Sequence, residues 1–236
     1  MGIRDNTDTA EELRDIIIAD VVLILAFSLT LIGGVFHLRS NFGLLPLLLP
    51  VVAVGVTLSF VLHELMHKFV AQHFGAIAGF RTSYNGLIIT LLTGALGFLL
   101  GIVGATYIYA SNFTRRQNGI VSLAGPLTNF VVFGGSLAIG VAMFGTAFFT
   151  NPPVQSYAYF AISFTLFISI LLAFFNMLPI PPLDGSKVLA WNAPLYVFMM
   201  ALIFVLMVYF TQIGLDNVVF MVIIALFFSM FYRNVI

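Results

Sequence analysis

Phe60-Val-Leu-His63-Glu64-Leu-Met-His67-Lys-Phe-Val-Ala71 sets two histidines and a glutamate inside an otherwise apolar stretch. On a helix advancing ~100° and ~1.5 Å per residue, His63 and His67 fall ~40° and ~6 Å apart, so both imidazoles can reach one metal ion. Glu64 lies between them, beside the metal rather than on it. There its carboxylate can take a proton from a water and later hand it to a leaving amine. This is the pattern of metal-assisted peptide hydrolysis. Bare HExxH patterns also arise by chance in soluble helices, so the surroundings decide. At mid-bilayer an Asp-like charge costs ~2.5–3.5 kcal/mol, and an intramembrane ionisable cluster reads as a functional site.

Those surroundings are apolar throughout. Of 236 residues, 61% are hydrophobic and 8% charged, with mean hydropathy +1.12. A soluble domain carries about 25% charge, so the composition excludes one and implies an all-α polytopic membrane protein. With no cysteine there is neither a disulfide framework nor a thiolate zinc site, and a metal must be held by histidine and carboxylate. Formal net charge is zero, yet Asp5, Asp8, Glu11, Glu12, Asp15 and Asp20 crowd the first twenty residues. They read as a solvated, partly helical lead-in to the first span. Because that lead-in is acidic and no small-residue cleavage site follows, no cleavable signal peptide is expected.

Hydropathy predicts about six spans in a single membrane-embedded domain: 16–38, 46–74, 119–149, 157–177, 194–212 and 218–232. The zinc motif lies toward the far end of the second, below the membrane surface on the side of the N-terminus. Between the second and third spans, Gly79 to Gly86 reads as a short strand or turn. Residues 87–109 are apolar enough to cross once, but they contain Gly94, Gly97, Gly101 and Gly104. That spacing fits either a smooth helix face or a re-entrant hairpin. Loop charge favours the hairpin. Without a net crossing here, Arg4, Arg14, Lys68, Arg81, Arg115, Arg116, Lys187 and Arg233 share one side and only Arg39 the other. The positive-inside rule then makes the first side cytoplasmic. The expectation is a multi-pass cell-membrane protein with both termini and the active-site opening toward the cytoplasm.

Two later stretches carry polar residues at membrane depth. The third span opens with Leu123-Ala-Gly125-Pro126-Leu-Thr-Asn129, where Asn129 either projects an amide into a cavity or bonds a neighbouring helix past a proline kink. The fourth ends in Asn176-Met-Leu-Pro179-Ile-Pro181-Pro182-Leu-Asp184-Gly185, whose prolines exclude a regular helix and present Asp184 from a rigid loop. Two helical histidines need a third protein ligand, with a fourth position left for water. His73 lies six residues beyond His67, ~9 Å along the helix and ~120° round it, out of reach without a bend. Asp184 is preferred, since an even number of crossings returns it to the side of the histidines. The fifth and sixth spans hold no internal ionisable residue and read as support or gate.

Phe60-x-x-His63-Glu64-x-x-His67-x-x-x-Ala71, Gly125-Pro-x-x-Asn129 and Asn176-x-x-Pro179 with Leu183-Asp184-Gly185 together resemble the site-2 protease family of intramembrane zinc metalloproteases. The resemblance covers about residues 60 to 190 and rests on the joint order of the motifs. It implies a zinc-dependent endopeptidase that cuts a peptide bond in or near a transmembrane helix of a membrane-anchored substrate. By that resemblance His63, His67 and Asp184 bind one Zn2+, Glu64 is the general base, and Asn129 and Asn176 hold substrate or shape the site. An edge strand near the metal that pairs with unwound substrate is also implied, with Gly104-Ala-Thr-Tyr107 as its candidate. The expected partners are a transmembrane protein substrate and the lipid bilayer, and not nucleic acid. No PDZ-like or other soluble domain is expected. Two alternatives share parts of this pattern: a membrane zinc hydrolase of lipid-like or prenylated-peptide substrates, and a non-catalytic scaffold, against which the intact Glu64 argues.

Overall fold

The computed structural model describes residues 9–110 and 112–211 together with positions 223 and 226. Its first helix, α1 (Thr9–Leu31), ends at a turn where Gly33 and Gly34 adopt φ of 87° and 77°, a backbone region open to glycine. Beyond it a continuous helical stretch, α2 (Val35–His73), carries the zinc motif. The first two helices therefore meet at Gly33–Gly34, earlier than the span limits 38 and 46 read from hydropathy. Just before the motif, α2 contains a π turn over Thr57–Val61, an irregularity frequent near functional sites.

A strand β1 (Ile77–Thr82), a helix α3 (Tyr84–Ala95) and a strand β2 (Gly104–Tyr109) follow. The strands pair antiparallel, from Ile77 opposite Tyr109 to Thr82 opposite Gly104. That pairing decides the ambiguous segment: the chain leaves and returns at the same end, so 77–109 forms a hairpin. Of Gly94, Gly97, Gly101 and Gly104 only Gly94 is helical, and there a Cβ would stand 2.7–2.9 Å from Ala26 of α1. Gly97 and Gly104 instead take φ of 91° and 153° where the chain bends. The returning limb is tied to α3 by two hydroxyls: Thr90 donates to the Leu100 carbonyl and accepts from Ile102 N–H, and Thr93 accepts from Leu100 N–H. Irregular backbone at membrane depth needs such internal partners.

The helices α4 (Arg115–Phe144), α5 (Tyr157–Asn176), the shorter α6 (Asp184–Trp191) and α7 (Ala193–Thr211) follow, with a single helical turn at Ala147–Thr150 between α4 and α5. Thr114 and Gln117 form a capping box at the start of α4, satisfying donors that a helix N-terminus leaves free. In the middle lies α5. Its Leu166, Ile170 and Phe174, spaced one turn apart, pack into a core with α4 and α7, while Phe164 and Ile168 pack with α1 and α2.

Among the described residues four helices are long and apolar enough to cross a membrane: Val35–His73, Arg115–Phe144, Tyr157–Asn176 and Ala193–Phe210. The described residues are mostly helical, with one small sheet. Helix α1 is not among the four, because Glu11, Glu12, Arg14, Asp15 and Asp20 lie along it. The sixth span, read at 218–232, lies outside the described residues apart from two positions.

The acidic lead-in departs from expectation. Glu12 and Asp15 are 3% and 5% exposed. Glu12 accepts from Phe80 N–H and from Lys68, and Asp15 accepts from Thr82 N–H. These carboxylates cap the outer edge of β1, which would otherwise be left unpaired. Their partners lie more than fifty residues away in sequence, which is why the charge run alone reads as solvated.

Candidate metal centre

His63, His67 and Asp184 converge and are all buried. The two Nε2 atoms are 3.1 Å apart, and Asp184 Oδ2 lies 3.5 Å from His63 Nε2 and 3.0 Å from His67 Nε2. Ligand atoms at ~2.0–2.1 Å from a tetrahedral zinc stand about 3.3 Å from one another. The observed triangle matches that edge length.

The outer hydrogen bonds show why a cation belongs there. His67 Nδ1 lies 2.8 Å from the Val121 carbonyl and must donate its hydrogen to it. Asn129 Nδ2 donates to the Ser169 carbonyl, which fixes the amide so that its Oδ1 faces His63 Nδ1 at 3.3 Å. In a neutral imidazole only one nitrogen carries hydrogen. With both imidazoles neutral, each Nε2 presents its lone pair toward a carboxylate, an arrangement of three acceptors that calls for a cation. A metal ion satisfies all three, and imidazole with carboxylate is a zinc-compatible donor set.

Each ligand is placed by local sequence. The i, i+4 spacing stacks the histidines on one face of α2. Asp184 begins α6 after the chain turns through 177–183, where Leu183 N–H bonds the Ile180 carbonyl. Gly185 permits that turn, since a Cβ there would stand 2.1 Å from the Met177 carbonyl oxygen. Asp184 turns its Oδ2 toward the two histidines. Its second oxygen, Oδ1, lies 3.7 Å from Lys187 Nζ.

Helix α4 supplies the other wall from one face, with Val121, Gly125 and Asn129 at successive turns. Gly125 is the close approach: a Cβ there would stand 2.5 Å from His67 Nε2 and 2.6 Å from His63 Nε2. Asn129 is fully buried, and the two hydrogen bonds above direct its amide to His63 and α5. Asn129→Ala is expected to weaken zinc binding about 10- to 100-fold, the usual cost of losing an outer partner of a ligand. Competition with a zinc-chelating dye measures it.

Glu64 is not one of the three converging groups. Its Oε2 accepts from the N–H and the hydroxyl of Thr106 on β2, at 3.0 and 2.8 Å. The candidate edge strand thus lies directly beside this glutamate. Asn176 bonds back within α5 to the Leu172 carbonyl, and among the described residues it shares no hydrogen bond with the three ligands. His73 is exposed at the end of α2, its ring against Phe74. Sequence reasoning missed Val121 and Ser169, and it named the stretch that holds Thr106 without singling that residue out. The first two act through backbone carbonyls, which leave no residue signature, although Val121 stands one turn before Gly125.

A family model described as peptidase family M50 matches residues 51–194. A protein of Methanocaldococcus jannaschii is 39% identical over 179 residues, covering 72% of this chain and 84% of that protein. One from Mycobacterium tuberculosis is 28% identical over 177 residues, covering 68% and 66%. Another from Bacillus subtilis is 28% identical over 155 residues, covering 60% and 68%. All three carry provisional zinc-metalloprotease names. No solved structure matches.

Proposed function

This chain belongs to peptidase family M50, the site-2 proteases, and is a zinc metalloprotease; from that premise we propose that it is an intramembrane endopeptidase. In this reading it cuts a peptide bond in or near a transmembrane helix of a membrane-anchored substrate. The observation that carries the proposal is the outer edge of β2 lying against Glu64, beside a buried His63, His67 and Asp184 group. A helix keeps its amides in internal hydrogen bonds and must unwind before hydrolysis. An unpaired strand edge offers the unwound segment replacement partners, with main-chain bonds for affinity.

Zinc held by His63, His67 and Asp184 would polarise the scissile carbonyl and make a water nucleophilic near neutral pH. Glu64 takes a proton from the attacking water and passes it to the departing amine. Asn129 and the Val121 carbonyl keep both imidazoles in the tautomer that leaves Nε2 free. Asn129 thereby shapes the site through His63, and Asn176 is assigned to holding substrate or shaping the site on the family resemblance. Comparing the membrane proteomes of cells carrying wild type and Glu64→Gln tests the proposal. A membrane-anchored protein that accumulates full-length only in the variant supports it. Identical membrane proteomes, with the wild type shown to be expressed and zinc-loaded, would count against it.

The proposed orientation places the β-sheet end toward the cytoplasm. Supporting it, Lys68 and Arg81 reach Glu12 and Glu11 of α1 beside the sheet, and Arg115 and Arg116 open the helix that follows β2. The chain has no native cysteine, so Asn118→Cys is a unique label site at the exposed start of α4. An impermeant maleimide added outside intact cells is expected to leave it unlabelled until the membrane is opened. Labelling from outside would reverse the orientation.

A further inference from the structure

We infer that Thr106 is a positioning residue that holds Glu64 in a resting position, and that a docking substrate strand releases Glu64 by taking over the Thr106 N–H. The inference rests on the strand-docking reading above and deepens it.

The two outer edges of the sheet are both met by carboxylates, but not in the same way. Residues of one parity point away from the partner strand, and on β1 these are Ala78, Phe80 and Thr82. There Phe80 and Thr82 spend their N–H groups on Glu12 and Asp15 of α1, and Gln72 donates to the Ala78 carbonyl. Lys68 closes over Glu12 from α2. That edge is covered by groups with no part in the chemistry. On β2 the register pairs Ala78 with Ile108 and Phe80 with Thr106, so Ile108 and Thr106 face outward. The carboxylate on the Thr106 N–H is Glu64 itself.

Thr106 holds it through more than one bond. Its N–H and hydroxyl both reach Glu64 Oε2, and the hydroxyl also lies 3.1 Å from the Glu64 main-chain carbonyl. A peptide pairing with this edge in antiparallel or parallel register needs the outward N–H groups of β2 as donors. An N–H in use by a pairing strand is no longer available to Glu64. Docking therefore takes the N–H, and the hydroxyl turns its single hydrogen to the Glu64 main-chain carbonyl, which frees the carboxylate as a scissile bond arrives; without a docked strand the base stays engaged. No bond is made or broken in this step beyond the exchange of hydrogen bonds.

Selectively 15N-threonine-labelled and 15N-isoleucine-labelled protein in detergent micelles tests it by amide NMR, with the Thr106 signal assigned by its loss in Thr106→Ser. The probe is a ten-residue alanine–valine peptide with lysine ends, added in excess. In the free protein Glu64→Gln should shift the Thr106 amide upfield, because a carboxylate acceptor is replaced by a weaker one. With peptide bound, wild type and Glu64→Gln should give the same Thr106 shift, while the Ile108 amide moves in both. A Thr106 amide indifferent to Glu64→Gln in the free protein would overturn the hold. An effect of Glu64→Gln that persists with peptide bound, alongside a moved Ile108 amide, would overturn the release while leaving strand docking intact. If saturating peptide moved neither amide, strand docking itself would fail, and the release with it.

Discussion

Glu64→Gln is expected to keep its zinc and lose turnover by roughly 10² to 10⁴, the usual contribution of a positioned general base. The variant leaves His63, His67 and Asp184 untouched and removes only the carboxylate proposed to move the proton. His63→Ala and His67→Ala should lose metal and activity together, because each deletes a direct ligand. Asp184→Ala should lower zinc occupancy for the same reason. His73→Ala should retain both, since His73 is exposed at the end of α2. Zinc by elemental analysis, read beside cleavage of one peptide for all five variants, separates binding from chemistry. Full zinc in Asp184→Ala with loss in His73→Ala would mean the third ligand is misassigned.

Gly125→Ala should be as damaging as losing a histidine, although it adds one methyl group and touches no ligand bond. That methyl would stand 2.5–2.6 Å from both Nε2 atoms, well inside the ~3.5–4.0 Å of an ordinary contact between heavy atoms. Neither side can yield easily, because Val121 and Asn129 on the same face of α4 are bonded to the same two histidines. Zinc affinity should fall by at least the ~100-fold that marks the upper range for outer partners of a metal site. Gly134→Ala and Gly135→Ala on the same helix have nothing within 4 Å of the added carbon and should bind zinc as wild type does. Equal zinc affinity in Gly125→Ala and Gly134→Ala would show that α4 does not approach the metal as described.

How much of this was legible in the chain depends on whether the cause was local. His63 and His67 share a turn, so helical spacing alone brings their rings together, and hydropathy marks the long apolar helices. Asp184 required a parity argument across several helices, and the structure brings it to the histidines. The segment 77–109 resisted periodicity because its course is set by β1–β2 pairing and by Thr90 and Thr93 hydroxyls that tie down the returning limb. Neither leaves a repeating pattern. The first helix boundary was misplaced because Gly33 and Gly34 turn the chain inside an apolar run. Glu12 and Asp15 read as solvated because a charge run gives no hint of a strand edge from elsewhere in the chain. For Asn129 the sequence left a cavity or a neighbouring helix as alternatives, and its amide bonds run to His63 and to the α5 backbone.

If this zinc centre cuts peptide bonds within a membrane helix, as proposed, a spanning peptide must be cut inside its apolar segment. The most direct measurement is mass spectrometry of the products formed from a single-span alanine–leucine peptide with lysine flanks, reconstituted with the purified zinc-loaded protein in phospholipid nanodiscs. The expected products are fragments whose new ends fall inside the apolar segment, formed by wild type and reduced at least 10²-fold by Glu64→Gln. Cleavage confined to the polar flanks, or an intact peptide beside hydrolysed phospholipid, would contradict it.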